Sequence, residues 1–312
     1  MENKKTQAYW VNRLDEIFSH LDEMDLDYFY ELEAIYAKHQ KLVEKELFAF
    51  YQRYATDNEI TLAAAKQRLT RVDLSDYKDN AKTYRQQAKD DKDTELLDRL
   101  NEQYSSSKAT RLEALNLNLT YLVGTMNKEL QTSLYGYLKQ VAQYAYKKIR
   151  FGNSSSTLNE PTLKEMLQQK WNAGNYSSRI WGNTDTLVDD LKTAMERGFI
   201  RGDNPVVVAR ELRKKYNVAK ARAETLTRTE GTFIANSATL RRYREAGLTK
   251  YQYLAHLDSR TTEICRQLND TVYLIKDYQP GLNAPPMHPN CRSAIVPVDA
   301  ELSGKSINGN DI

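Results

Sequence analysis

Tyr251-Gln252-Tyr253-Leu254-Ala255-His256-Leu257 is where the chain changes character. Apolar and polar side chains alternate there with the period of two that a half-buried strand requires. Upstream, the apolar positions recur at helical spacing, and Gly247 reads as the stop of the last helix. Thr271-Val272-Tyr273-Leu274-Ile275 and Ser293-Ala294-Ile295-Val296-Pro297-Val298 have the same strand chemistry. The proline-rich residues 280–289 between them read as loop, because proline supplies no ladder donor. The fold class that follows is α+β and predominantly helical. It consists of a long helical N-terminal arm and a small mixed α/β C-terminal domain.

Working back toward the N-terminus, Asn204-Pro205 is a helix start, with an N-cap residue before a proline at the first helical position. The pattern predicts one helix to Tyr216 and a second, capped by Asn217, to Ala246. The core stripe of that second helix reads as Val218, Leu226, Phe233, Leu240 and Tyr243. Before it, residues 163–167 and 184–199 read as short amphipathic helices, and residues 171–181 as a loop anchored by Trp171 and Trp181. Trp10, Leu14, Ile17 and Leu21 open a helical pattern that runs without Gly or Pro from residue 7 to about residue 54, longer than a typical globular helix. It predicts an elongated hairpin or coiled pair. Thr56-Asp57-Asn58 reads as a break, with a new segment near Glu59; Asp90-Asp91-Lys92-Asp93 and Ser105-Ser106-Ser107 read as turns. A further helical stretch covers residues 109–149. The expected organisation is an elongated helical region over 1–150, a helical connector over 151–204, the α/β domain over 205–300 and a flexible tail over 301–312.

Two cysteines in 312 residues cannot build a disulfide scaffold, and 12 Gly with 7 Pro exclude a collagen-like or wholly disordered chain. No apolar run approaches the length of a membrane span, and the polar start lacks the apolar core of a secretion signal. A chain made and kept in the cytosol is expected. The formal net charge of +3 is unevenly spread: residues 1–100 carry 16 Lys/Arg against 21 Asp/Glu, whereas residues 201–250 carry 12 against 5. That basic stretch makes Arg213, Lys214, Lys215, Lys220, Arg222, Arg241, Arg242 and Arg244 candidates for contacting the phosphates of double-stranded DNA. A solvated helix face is the competing reading.

Both cysteines and two of the four histidines lie between His256 and Cys291. His288-Pro289-Asn290-Cys291 sets two soft-metal ligands on one tight turn, and Cys265 can join them, so zinc is the candidate cofactor. His256, Asp258 or solvent compete for the fourth position. A Cys265–Cys291 disulfide and a pair of buried thiols are the alternatives. Phosphate-binding loops, the Gly-x-Ser-x-Gly elbow and the His-Glu-x-x-His helix do not occur. Arg228-Thr229-Glu230 reads as a buried ionic contact pinning helix to sheet, in preference to an acid–base site.

Asp258-Ser259-Arg260-Thr261-Thr262-Glu263-Ile264-Cys265, then Asn269-Asp270, then Pro285-Pro286-Met287-His288-Pro289-Asn290-Cys291-Arg292 together resemble the C-terminal domain of phage Mu F-like head-morphogenesis proteins. The preceding helix, with Arg228-Thr229-Glu230 and Asn236, is similar to the Arg-Thr-Glu helix of that family. The upstream helical region resembles full-length minor capsid proteins. Arg228, Thr229, Glu230, Asp258, Arg260, Thr261 and Arg292 are therefore the motif residues. Many relatives carry a second cysteine where this chain has Ser293, which removes one potential ligand.

The resemblance implies a non-enzymatic minor capsid protein acting in procapsid morphogenesis. Its location would be the virion head, reached from the host cytoplasm during assembly. Its partners would be the portal protein, the scaffold or major capsid protein, and packaged DNA. Only about a dozen residues follow Val298, so a fused toxin domain of the kind some relatives carry is not expected. The 21 tyrosines suit extended partner surfaces or simple helix packing. The competing function is a metal-dependent hydrolase or nuclease centred on Asp258, Cys265, His288 and Cys291.

Overall fold

The computed structural model describes residues 2–104, 109–149, 151 and 157–298, with side chains from residue 8 onward. The turn expected at 105–107, the end of the helical region expected at residue 150 and the tail expected at 301–312 lie outside the described residues. The helices are α1 (Glu2–Tyr54), α2 (Leu62–Ala65), α3 (Arg71–Asp90), α4 (Thr94–Gln103), α5 (Arg111–Lys148), α6 (Glu160–Gln168), α7 (Tyr176–Arg201), α8 (Pro205–Glu245) and α9 (Glu263–Leu268). Three short strands, β1 (Lys250–Leu254), β2 (Val272–Leu274) and β3 (Ala294–Pro297), and one 3-10 turn over Ile275–Asp277 complete the described elements. The mainly helical α+β class expected from the sequence is the class observed.

Several local expectations need correction. The pattern over residues 7–54 is one 53-residue helix and not a hairpin. The break after it is a turn in which Asp57 and Asn58 take positive φ, and the next helix starts at Leu62, capped by Thr61. Only the start of the expected loop at 171–181 is a turn, with Asn172 and Ala173 at positive φ. Tyr176 already opens α7. There Asn175 Oδ1 accepts the N–H of Ser178 at 3.0 Å and Ser178 Oγ accepts the N–H of Asn175 at 3.0 Å, a reciprocal cap. Asn217 interrupts nothing, because α8 is a single helix of 41 residues. Val218 is 45% exposed, whereas Leu212, Tyr216, Ala219 and Ala223 are buried. The stripe therefore runs continuously through the place where a cap was expected.

The chain divides into two compact units. One comprises Leu32–Leu130 and Ile180–Arg222. Within it Tyr77, Ala81, Leu96, Leu100, Leu117 and Trp181 share a buried cluster, and Phe50 stacks on Phe199 with ring centroids 5.6 Å apart. The other comprises Met1–Glu31, Gln131–Arg179 and Ala223–Ile312, and contains the sheet. Leu14, Ile17 and Leu21 from α1, Leu134, Leu138 and Val141 from α5, and Phe233, Leu240 and Tyr243 from α8 are all buried there.

The sheet is antiparallel with strand order β2-β1-β3. Tyr251 faces Tyr273 on one side and Pro297 on the other, and Tyr253 faces Ile295. All four residues of β3 are buried although it is an edge strand. Its outward backbone groups are taken by α8. Asn236 Oδ1 accepts the N–H of Ile295 at 3.0 Å, and the Tyr243 hydroxyl donates to the carbonyl of Ile295 at 3.0 Å. Side chains of a helix thus replace the missing neighbour strand and satisfy groups that burial would leave orphaned.

Candidate metal centre

Three elements of the second unit converge on one point: α9, the loop between β2 and β3, and α8 beneath it. Cys265 comes from the first turn of α9, whose start is set by a tight loop. In that loop Asp258 accepts the N–H of Arg260 at 2.8 Å. Thr261 Oγ1 accepts the N–H of Asp258 at 2.7 Å and donates to the carbonyl of His256 at 2.6 Å. Arg292 closes the brace with an ion pair to Asp258. The motif residues Asp258, Arg260, Thr261 and Arg292 therefore build the scaffold that presents Cys265. Desolvation pushes the Asp258 carboxyl up. The N–H of Arg260, the charge of Arg292 and the nearby Thr261 hydroxyl outweigh it and hold the group down at about 2.

His288 and Cys291 sit on one turn, where the N–H of Cys291 donates to the carbonyl of His288 at 3.2 Å. That turn is fastened to α8 from below. The N–H of Asn290 donates to Thr229 Oγ1 at 3.0 Å, Thr232 Oγ1 donates to the carbonyl of Cys291 at 2.6 Å, and Asn236 Nδ2 donates to that of Ser293 at 3.2 Å. Thr229, Thr232 and Asn236 stand three and four apart, on one face of the helix. Thr232 escaped the sequence reading; its spacing from Thr229 and Asn236 was the available signal.

Cys265 Sγ lies 3.3 Å from His288 Nε2 and 3.9 Å from Cys291 Sγ, and the three ligand atoms lie within 4.8 Å of one another. Both cysteines are 1% exposed. They are free thiols at a separation far beyond a disulfide bond of about 2.0 Å, so the expected disulfide alternative does not describe this state. The Tyr253 hydroxyl donates to Cys265 Sγ at 3.3 Å. Hydrogen bonding from Cys291 pulls the Cys265 thiol down against the effect of burial, whereas Cys291 is pushed up by the same contact and by its own burial.

The donor set fits a zinc-type ion on three counts. Two sulfurs and one imidazole nitrogen are soft to borderline ligands. Tetrahedral zinc, with bonds of about 2.3 Å to sulfur and about 2.0 Å to nitrogen, sets ligand edges of about 3.8 Å for S···S and about 3.5 Å for S···N. The observed 3.9 Å and 3.3 Å lie near both edges. Finally, His288 Nδ1 lies 2.8 Å from the carbonyl of Pro289. A donor is required there, which leaves the lone pair of Nε2 on the side of the cysteines.

The other expected site residues are placed as follows. His256 and Asp258 lie outside the three-ligand group, on the wall of an adjoining cleft of about 450 Å³ that Cys265 and His288 also line. Glu230 does not pin α8 to the sheet. It is 2% exposed and accepts from Trp171 Nε1 at 3.2 Å and from Arg179, so it ties α8 to the start of α7 and the turn before it. Burial pushes its carboxyl up, opposed by Arg179 and Trp171. Arg228 faces Asp25 at 3.6 Å and lies over the ring of Phe29.

Most of the expected DNA-contacting residues are already engaged. Arg213 forms a two-pronged pair with Glu44, both contacts at 2.8 Å. Lys214 pairs with Glu211, Lys215 with Asp190, Lys220 with Glu33 and Arg241 with Glu245. Arg242 is 1% exposed and donates to the carbonyl of Tyr146 at 2.8 Å, which removes it from any surface patch. Arg222 and Arg244 are exposed, and among the described residues neither has an ion pair.

A helical stem whose polar side chains fasten a three-stranded sheet and a Cys/His corner defines a small α+β domain built around one helix. Residues 189–296 match the family model described as Phage Mu protein F like protein, a span that holds the end of α7, all of α8, the sheet and the three clustered ligands. This segment is therefore similar to phage Mu F-like proteins, a family associated with head morphogenesis and minor capsid proteins. No curated protein and no solved structure matches the chain. Among the described residues no helix is long and apolar enough to cross a membrane.

Proposed function

We propose that this chain is a minor head protein of a phage, incorporated into the virion during procapsid assembly beside the portal protein, and that it serves there as a structural component. The observation that carries the reading is the family match over residues 189–296, within which the motif residues act as braces. Asp258 and Arg292 hold a loop, Thr229 receives the ligand-bearing turn, and Glu230 is consumed by Arg179 and Trp171. Cys265, His288 and Cys291 hold zinc in this reading, and the ion ties α9 to the turn that precedes β3.

Scaffold or major capsid protein and packaged DNA are the further partners of the proposal. For DNA, each engaged cation must first leave its carboxylate, so Arg222 and Arg244 carry most of the attraction. The second reading, a hydrolase or nuclease, is disfavoured by the state of Asp258, whose oxygens are occupied by Arg260 and Arg292. The test is to co-express the chain with the portal, scaffold and major capsid proteins of its own phage and analyse purified procapsids by mass spectrometry. The chain should co-sediment with procapsids in low copy number. Procapsids devoid of it, with the chain left free, would refute the proposal.

A further inference from the structure

The three-ligand group is open on one side. Cys265 and His288 reach the wall of the 450 Å³ cleft, and no fourth His, Cys, Asp or Glu joins the group among the described residues. Asp258, across the cleft, is committed to Arg260 and Arg292. His256 lies 4.0 Å from Asp258 and outside the group. The rim is rich in guanidinium groups. Arg228 and Arg260 have side chains 44% and 73% exposed, while Arg292 is shared between Asp258 and Asp22. Arg228 faces Asp25 at 3.6 Å and Arg260 faces Asp258 at 3.3 Å, but both guanidinium groups stay exposed and offer N–H donors at the rim, and two thiolates neutralise a divalent ion bound beside it.

We infer that the metal held by Cys265, His288 and Cys291 keeps its fourth position for an anionic oxygen ligand, a carboxylate or a phosphate oxygen, that enters through this cleft and is steered by Arg228 and Arg260. The inference rests on the zinc reading above. It gives the domain a ligand-dependent contact: an acidic group of a neighbour in the head, or a free oxyanion, completes the coordination. A closed structural site would instead carry four protein ligands.

Cobalt(II) in place of zinc in the full-length protein tests this, because its visible bands report coordination directly. The expected result is a thiolate-to-cobalt charge-transfer band together with tetrahedral visible bands that shift saturably when acetate or inorganic phosphate is added. A response to acetate points to a carboxylate source and a response to phosphate to a phosphate source; either supports the open position. Arg228→Gln combined with Arg260→Gln should weaken the anion about threefold. His256→Ala should leave the anion-free spectrum unchanged. Visible bands indifferent to both anions, or altered by His256→Ala, would overturn the open position while leaving the metal in place. No charge-transfer band at all would overturn the zinc reading and this inference with it.

Discussion

The side-chain oxygen of Asn236, on α8, accepts the backbone N–H of Ile295, on β3, at 3.0 Å, and both residues are buried. The amide nitrogen of the same side chain donates to the carbonyls of Thr232 and Ser293. One asparagine thereby closes the edge of the sheet and fixes the strand that follows the His288–Cys291 turn.

Replacing it should be expensive. Asn236→Ala leaves the N–H of Ile295 and the carbonyl of Ser293 buried and unpaired, a loss of about 2–4 kcal/mol. Thr239→Ala removes only a bond to the carbonyl of Ala235 in the same helix, so it should cost about 1 kcal/mol or less. Urea denaturation of the two variants beside the parent protein measures the difference; equal losses would contradict this role for Asn236.

Asp25, on α1, gives a pH dependence of definite sign. Desolvation pushes its carboxyl from an ordinary 3.8 up to about 6, against the hydrogen bond from Tyr137 and the charge of Arg228. The folded state then binds a proton more tightly than the unfolded one. The stability this provides is present below about pH 4 and is lost as pH rises toward 6, by about 3 kcal/mol at most. Asp25→Asn should remove that decline. Denaturation midpoints of parent and variant between pH 4 and 7 test it, and parallel curves would rule it out.

Gly198 on α7 has no room for a methyl group, because a Cβ there would stand 2.6 Å from Cγ2 of Val208 on α8. Val208 is branched and 1% exposed, so it cannot swing aside cheaply. Gly198→Ala should cost about 1–3 kcal/mol. The same change in a Val208→Ala background should cost clearly less, and a double-mutant cycle showing no coupling would disprove the contact.

How far the sequence foretold all this varies with the physics of each element. The three strands and the Asn204-Pro205 helix start were legible because alternation and a proline at the first helical position are local signals. Asn217 misled because asparagine is a weak helix former, yet it is exposed, and buried Tyr216 and Ala219 on either side carry the helix through. The start of α7 was hidden by a cap of Asn175 and Ser178, a rarer pairing than Ser with Glu. At the site, the clustering of Cys265, His288 and Cys291 was legible from residue type and spacing. The engagement of Asp258 and Glu230 was not, because their partners Arg292 and Arg179 are distant in the chain. The ion pairs of the basic stretch were hidden for the same reason: Glu44 and Glu33 lie far upstream of Arg213 and Lys220.

The account turns on whether the Cys/His corner is a metal site. Elemental analysis of the full-length protein, produced with zinc in the medium, together with its melting temperature before and after a strong chelator, addresses this most directly. The prediction is about one zinc per chain, a lower melting temperature after chelation, and neither the zinc nor the shift in Cys265→Ser. A protein with no stoichiometric metal and a melting temperature indifferent to chelator would contradict it.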